Sequence, residues 1–225
     1  MLALDTSLHG LAEMQAQLPA ADSVLVGFGA LAVVTLDEMW RVAQHVNIIA
    51  HEGAHALVGS SLVGKVASVA LHRNATGLTK VRSASGRDSI VFQFAGYVGP
   101  SGFGLVAAKL ISAGRIAAVL WLAVALLAIL LSVVSTWFGG VLVTVCGGLL
   151  FVVADGGSAG LVTIVAYGLT WFLLLSGVRV VINHGSSGKD AESLRKLTYI
   201  PRTVWAWLWL MGTVVALAIG GSWLT

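Results

Sequence analysis

Charge is what this sequence has least of. Only 10% of its 225 residues are Asp, Glu, Lys or Arg, where soluble domains carry about 25%. With 57% hydrophobic residues and a mean hydropathy of +0.92, that scarcity excludes an ordinary water-soluble globule and implies a membrane protein. Cysteine is almost absent too. A lone Cys146, set in the apolar run from Val141 to Val153, excludes an internal disulfide and a cysteine metal cluster, and reads as packing. The net charge of +3 comes without a basic stripe interleaved with aromatics, so nucleic acid is not an expected partner. No glycine-rich loop follows a strand and opens a helix. The 27 glycines therefore read as sites of close helix packing, not phosphate binding. Residues 1–22 lack the basic start and apolar run of a secretory signal. Leu4, Leu8, Leu11 and Leu18 recur there at helical spacing, predicting an amphipathic N-terminal segment.

What is present is a series of apolar runs near the ~20 residues that cross a hydrocarbon core of about 30 Å. The candidate spans are Ser23 to Thr35, Val42 to Val63, Ser89 to Ile111, Ile116 to Ser135, Phe138 to Ala154, Gly160 to Val180 and Thr203 to Leu224. The first is short before Asp37 and Glu38, which read as a membrane boundary, so the expected count is six or seven. Two basic interludes, residues 65–88 and 179–202, should face the cytoplasm. Four spans separate them, and an even number returns the chain to the same side. Within the first interlude, Val66 to Leu71 and Leu78 to Arg82 partly alternate around the turn-like Asn74-Ala75-Thr76-Gly77, which predicts a β-hairpin.

The residues with chemistry in them are His51-Glu52-Gly53-Ala54-His55. Two histidines four apart on a helix lie about 40° apart in angle and roughly 6 Å apart along the axis, close enough to clasp one metal ion. Glu52, about 100° round from His51, is placed beside such a metal as a proton acceptor. Apolar residues flank the motif on both sides, and each ionisable group in such a setting costs about 2.5 to 3.5 kcal/mol to insert. A bound divalent cation, expected to be Zn²⁺, is the simplest compensation.

That motif in a hydrophobic helix, followed by the hairpin and by Ala95-Gly96-Tyr97-Val98-Gly99-Pro100 opening another span, resembles the site-2 protease family, in particular the bacterial B-like branch of peptidase family M-fifty. The resemblance extends from about Trp40 to the C-terminus and includes Asp190-Ala191-Glu192-Ser193-Leu194 and Leu197-Thr198-Tyr199-Ile200-Pro201. It implies an intramembrane zinc endopeptidase in a bacterial plasma membrane, with its site near the cytoplasmic side and a membrane-protein substrate that carries a transmembrane segment. The implied fold is all-α transmembrane, one polytopic domain over residues 1–225, with the hairpin inserted after the zinc-motif helix. The expected catalytic residue is Glu52.

The third ligand departs from the pattern of the better-known site-2 proteases, because Asn-x-x-Pro-x-Pro-x-Leu-Asp-Gly is absent. Asp190 lies on the side of the basic interludes and matches the B-like branch, so the expected metal set is His51, His55 and Asp190. Asp155 imitates the end of the missing pattern but falls on the opposite face by parity. His184 and Asn183 are further alternatives, and Asp190 itself could instead N-cap a short helix over residues 191–196. His45 and His72 are expected to meet water or headgroups, and Trp205, Trp207 and Trp209 to form an interfacial belt. Ser60 and Ser158 have no partnered base. The alternative function is a non-catalytic pseudoprotease or a metal-handling membrane protein.

Overall fold

The computed structural model describes residues 14–63, 66–82 and 86–225. The expected N-terminal amphipathic helix falls mostly outside the described residues. Residues 14–19 carry no regular structure. The Gln15 side chain accepts a hydrogen bond from the Ala117 backbone N–H, and Gln17 donates to the Ser112 carbonyl.

Eight helices and one hairpin follow among the described residues. The helices are α1 (Ala20–Thr35), α2 (Asp37–Val58), α3 (Gly86–Ser112), α4 (Ile116–Leu131), α5 (Trp137–Gly156), α6 (Ala159–His184), α7 (Lys189–Thr198) and α8 (Arg202–Leu224). A π-turn over Gly59–Val63 leads from α2 into strands β1 (Val66–Leu71) and β2 (Gly77–Val81), which pair antiparallel. Helices α3 and α6 form the centre of the bundle, with α2 and α8 packed on α3 and α1 packed on α6.

Among the described residues, four helices are long and apolar enough to cross a membrane: residues 87–112, 137–156, 159–184 and 202–224. The expected count of six or seven spans is not what these helices provide, for two physical reasons. The first two expected spans are one bent pair, α1 and α2, which meet at 97° and would count as a fifth crossing if taken together. Helix α4 is the other case. It stops at Leu131 instead of running to Ser135, and 16 residues at 1.5 Å each reach only about 24 Å, short of the ~30 Å core.

Helix α4 ends early because the next residues turn extended and join the hairpin. The Val69 N–H donates to the Val133 carbonyl and the Ser135 N–H donates to the Val69 carbonyl, both at 2.8 Å. Thr136 then caps α5 by accepting from the Gly139 N–H. Its hydroxyl also donates to the Leu71 carbonyl at 2.8 Å. Strand β1 is thus flanked by β2 on one edge and by the α4–α5 turn on the other. The hairpin is fastened to the bundle and not left as a free loop.

The elbow between α1 and α2 has its own fastening. Leu36 is extended, with ψ of 119°, which breaks the helix. Arg179 of α6 spans the break: its guanidinium donates to the Val34 carbonyl at the end of α1 and pairs with Asp37 of α2 at 2.9 Å. It also lies 4.6 Å above the Trp40 ring. Arg179→Met should therefore destabilise the fold by about 2 to 3 kcal/mol, the scale of charged hydrogen bonds plus a cation–π contact. Denaturant unfolding in detergent measures this, and an unchanged midpoint would show that the elbow holds without Arg179.

Candidate metal centre

Helix α2 presents His51, Glu52 and His55 inward, at 8%, 3% and 3% exposure. The four-residue spacing puts both imidazoles on one face, with ring centroids 4.9 Å apart. Asp190 reaches them from more than a hundred residues away. Its Oδ2 lies 3.1 Å from His51 Nε2 and 3.3 Å from His55 Nε2. These three residues form a group whose ligand atoms all lie within 4.8 Å of one another.

The route by which Asp190 arrives is helical. Four helices, α3 to α6, separate the hairpin from α7, and Gly188 serves as the N-cap of α7 without a side-chain bond. Asp190 sits inside the first turn, so its carboxylate is not the cap and turns to the histidines. Ala191 and Leu194 hold α7 down by packing with Tyr97, Val181, Trp205 and Trp209. On its other face, Glu192 hydrogen-bonds Arg195 at 2.7 and 3.0 Å and lies 3.7 Å from both Lys196 and Arg202. Those cations bring its pKa down to about 2.

The donor set fits a divalent metal. His55 Nδ1 lies 2.8 Å from the Phe92 carbonyl. A carbonyl can only accept, so Nδ1 carries the proton and a neutral His55 turns its Nε2 lone pair to Asp190 Oδ2. A lone pair facing a carboxylate oxygen requires a cation between them, either a proton or a metal. Ligands held at 2.0 to 2.1 Å in a tetrahedral zinc site are about 3.3 Å apart, close to the two nitrogen–oxygen distances here. Burial by itself raises the Asp190 pKa. With a proton on each Nε2 in place of the metal, the hydrogen bonds from His51 and His55 outweigh it and hold the carboxyl well below the usual range.

Gly96 supplies the space. A Cβ added there would lie 2.4 Å from His55 Nε2 and 2.5 Å from His51 Nε2, in the position where an ion would contact both. Tyr97 packs edge-on against His51, with centroids 5.0 Å apart, stacks on Trp209 and donates its hydroxyl to the His184 carbonyl. Glu52 stands outside the three-residue group, and its Oε2 accepts a 2.6 Å hydrogen bond from the Thr79 hydroxyl.

The remaining candidates do not join this cluster. Asp155 lies exposed near the end of α5, and His184 and Asn183 are exposed at the end of α6. His45, half-buried, packs edge-on to Phe138 and lies 3.1 Å from the Arg73 carbonyl, tying α2 to the hairpin turn. The tryptophan belt divides by helical angle. Trp207 is 67% exposed, whereas Trp209, on the face shared with Trp205, is fully buried and donates to the Phe94 carbonyl. Ser158 caps α6 by accepting from the Leu161 N–H. Sequence reasoning passed over Thr79 and the individual role of Gly96. The alternation of β2 and the 95–100 motif were the only signals of them.

Fold and site together define a helical membrane protein with a candidate metal centre between its helices. The family model described as Peptidase M50B-like matches residues 24–220, and the chain belongs to that family. No curated protein and no solved structure matches the chain.

Metal retention tests the cluster. Asp190→Ala and Gly96→Ala should each lower the metal bound by purified protein at least tenfold, the first by removing a donor and the second by filling the ion's place. Asp155→Ala should leave it unchanged. Full retention in both Asp190→Ala and Gly96→Ala would show that the metal, if any, binds elsewhere.

Proposed function

We propose that this protein is an intramembrane zinc metalloendopeptidase of the site-2 protease type, hydrolysing peptide bonds in or near transmembrane segments of membrane proteins. The convergence of His51 Nε2, His55 Nε2 and Asp190 Oδ2 beside a buried Glu52 carries this reading. Membership of a peptidase family supports it.

His51, His55 and Asp190 would hold the metal. When bound, zinc supplies a lowered pKa to water and polarisation of the scissile carbonyl. Glu52 takes a proton from the attacking water and returns it to the leaving amine, so that one water is consumed as the C–N bond breaks into carboxyl and amine. The Phe92 carbonyl orients His55 through its Nδ1–H, a supporting contact typical of metal-binding imidazoles. Phe92 and Tyr97, packed against the two imidazoles, shield them from bulk water and strengthen these interactions.

A helical substrate hides its carbonyls in its own hydrogen bonds and must open before attack. Strand β1 has both edges occupied, so among the described residues the outer edge of β2 is the edge left for an extended segment to pair with. That edge belongs to the same strand whose Thr79 touches Glu52. In a bacterial plasma membrane, the basic residues of the hairpin and of α7 favour a cytoplasmic location for this end, with Lys109 near the far end of α3 and Arg115 at the start of α4 on the opposite side.

Two experiments test the reading. Glu52→Gln should keep its zinc and lose roughly 10² to 10⁴ in cleavage rate, because amide replaces base without touching a ligand. Equal cleavage by wild type and Glu52→Gln would refute the mechanism. Single cysteines at positions 76 and 186, introduced after replacement of Cys146, should label from the same side of the membrane, and the cytoplasmic one. Labelling from opposite sides would overturn the topology.

A further inference from the structure

Residues two apart on a strand point to the same face, and in β2 the face shared by Gly77 and Thr79 is pressed against Glu52. Thr79 Oγ1 lies 2.6 Å from Glu52 Oε2 and 3.3 Å from the Glu52 backbone oxygen. A hydroxyl has one proton to give, and the shorter contact to the carboxylate takes it. Gly77 meets the other oxygen. A Cβ added at position 77 would fall 2.3 Å from Glu52 Oε1 and 2.6 Å from its carboxyl carbon. Strand β2 therefore addresses both carboxylate oxygens, one through a hydrogen bond and one through a bare Cα.

The strand behind these two residues is fixed at the matching positions. Thr79 pairs with Val69 and Gly77 with Leu71, and both partners are fully buried. Val69 exchanges two backbone hydrogen bonds with Val133 and Ser135. Leu71 is bonded through both its N–H and its carbonyl to the Thr136 hydroxyl. The two residues that touch Glu52 are thus backed by the two that fasten the hairpin to the α4–α5 turn. A glutamate left alone would sample several rotamers, and a proton acceptor misplaced by about 1 Å can lose on the order of 10²-fold in rate.

We propose that β2 is a clamp that sets the orientation of Glu52, with Thr79 as a positioning residue that fixes one carboxylate oxygen and Gly77 kept bare to seat the other. The role in turnover rests on the reading of Glu52 as the general base. The clamp itself rests on the contacts alone.

The test uses purified, zinc-loaded full-length protein and a peptide substrate containing a transmembrane segment. Thr79→Val keeps the shape and removes the hydroxyl. It should lower kcat roughly 10- to 100-fold, with KM within about twofold and zinc content unchanged. Thr79→Ser should recover most of the rate, and Gly77→Ala should lose at least as much as Thr79→Val. Wild-type kcat in Thr79→Val, or a Thr79→Ser as slow as Thr79→Val, would overturn the clamp. A thermal double-mutant cycle needs no turnover: Thr79→Val should lower Tm in the wild-type background and have little further effect in Glu52→Ala. Additive shifts would overturn the clamp, whereas a coupled pair in a protein that cleaves nothing would sink the protease reading alone.

Discussion

Two buried imidazoles, the buried Glu52 and the half-buried Asp190 among apolar helices lose most of their hydration, and the surrounding structure is arranged to replace it. Each of these groups has a partner supplied from elsewhere in the chain. Asp190 meets both histidines, the Phe92 carbonyl takes the His55 Nδ1–H, and Thr79 donates to Glu52. Leaving any one unpaired in so dry a setting would cost several kcal/mol. The elements that deliver these partners, α3, α7 and the hairpin, are therefore as much part of the site as the motif on α2.

Helix α2 works between two environments. One face carries the polar residues. The opposite face, including Ile49, Gly53 and Ala56, lines an apolar groove of about 620 Å³ that also includes Leu127, Leu130 and Cys146. A helix with such unlike faces needs its rotation fixed, because a turn of about 100° would put Ala50 or Glu52 in the place of His51 and Ala54 or Ala56 in the place of His55. The Arg179 clasp at the α1–α2 elbow, the Asn47–Ser176 hydrogen bond at 2.9 Å and the His45 contact to the hairpin turn all act on that rotation.

The hairpin connects distant parts of the chain through a few hydrogen bonds. Its inner strand joins the α4–α5 turn, and its second strand touches Glu52. In exchange, α4 is cut short. Its last expected residues leave the helix to pair with Val69, and the apolar helix that remains has 16 residues. The apolar run suggested a continued span there, but Ser132-Val133-Val134-Ser135 are poor helix formers, and pairing with β1 satisfies their backbone groups instead.

What the sequence determined by itself was whatever depends on neighbours along the chain. Scarce charge and long apolar runs required a membrane bundle, alternation around Asn74 to Gly77 required a hairpin, and i, i+4 spacing put His51 and His55 on one face. Counting spans between the basic interludes also favoured Asp190 over Asp155, and the folded chain brings the Asp190 carboxylate to both histidines. Only the tertiary structure decided what depends on angle and depth between distant elements. It bent α1 against α2 by 97° where the sequence suggested two crossings. It buried Trp209 while exposing Trp207. It set Gly96 beneath the histidines and Thr79 against Glu52. No local pattern encodes those contacts, because each is fixed by how two helices or a strand and a helix dock, and docking is a sum over residues far apart in the chain.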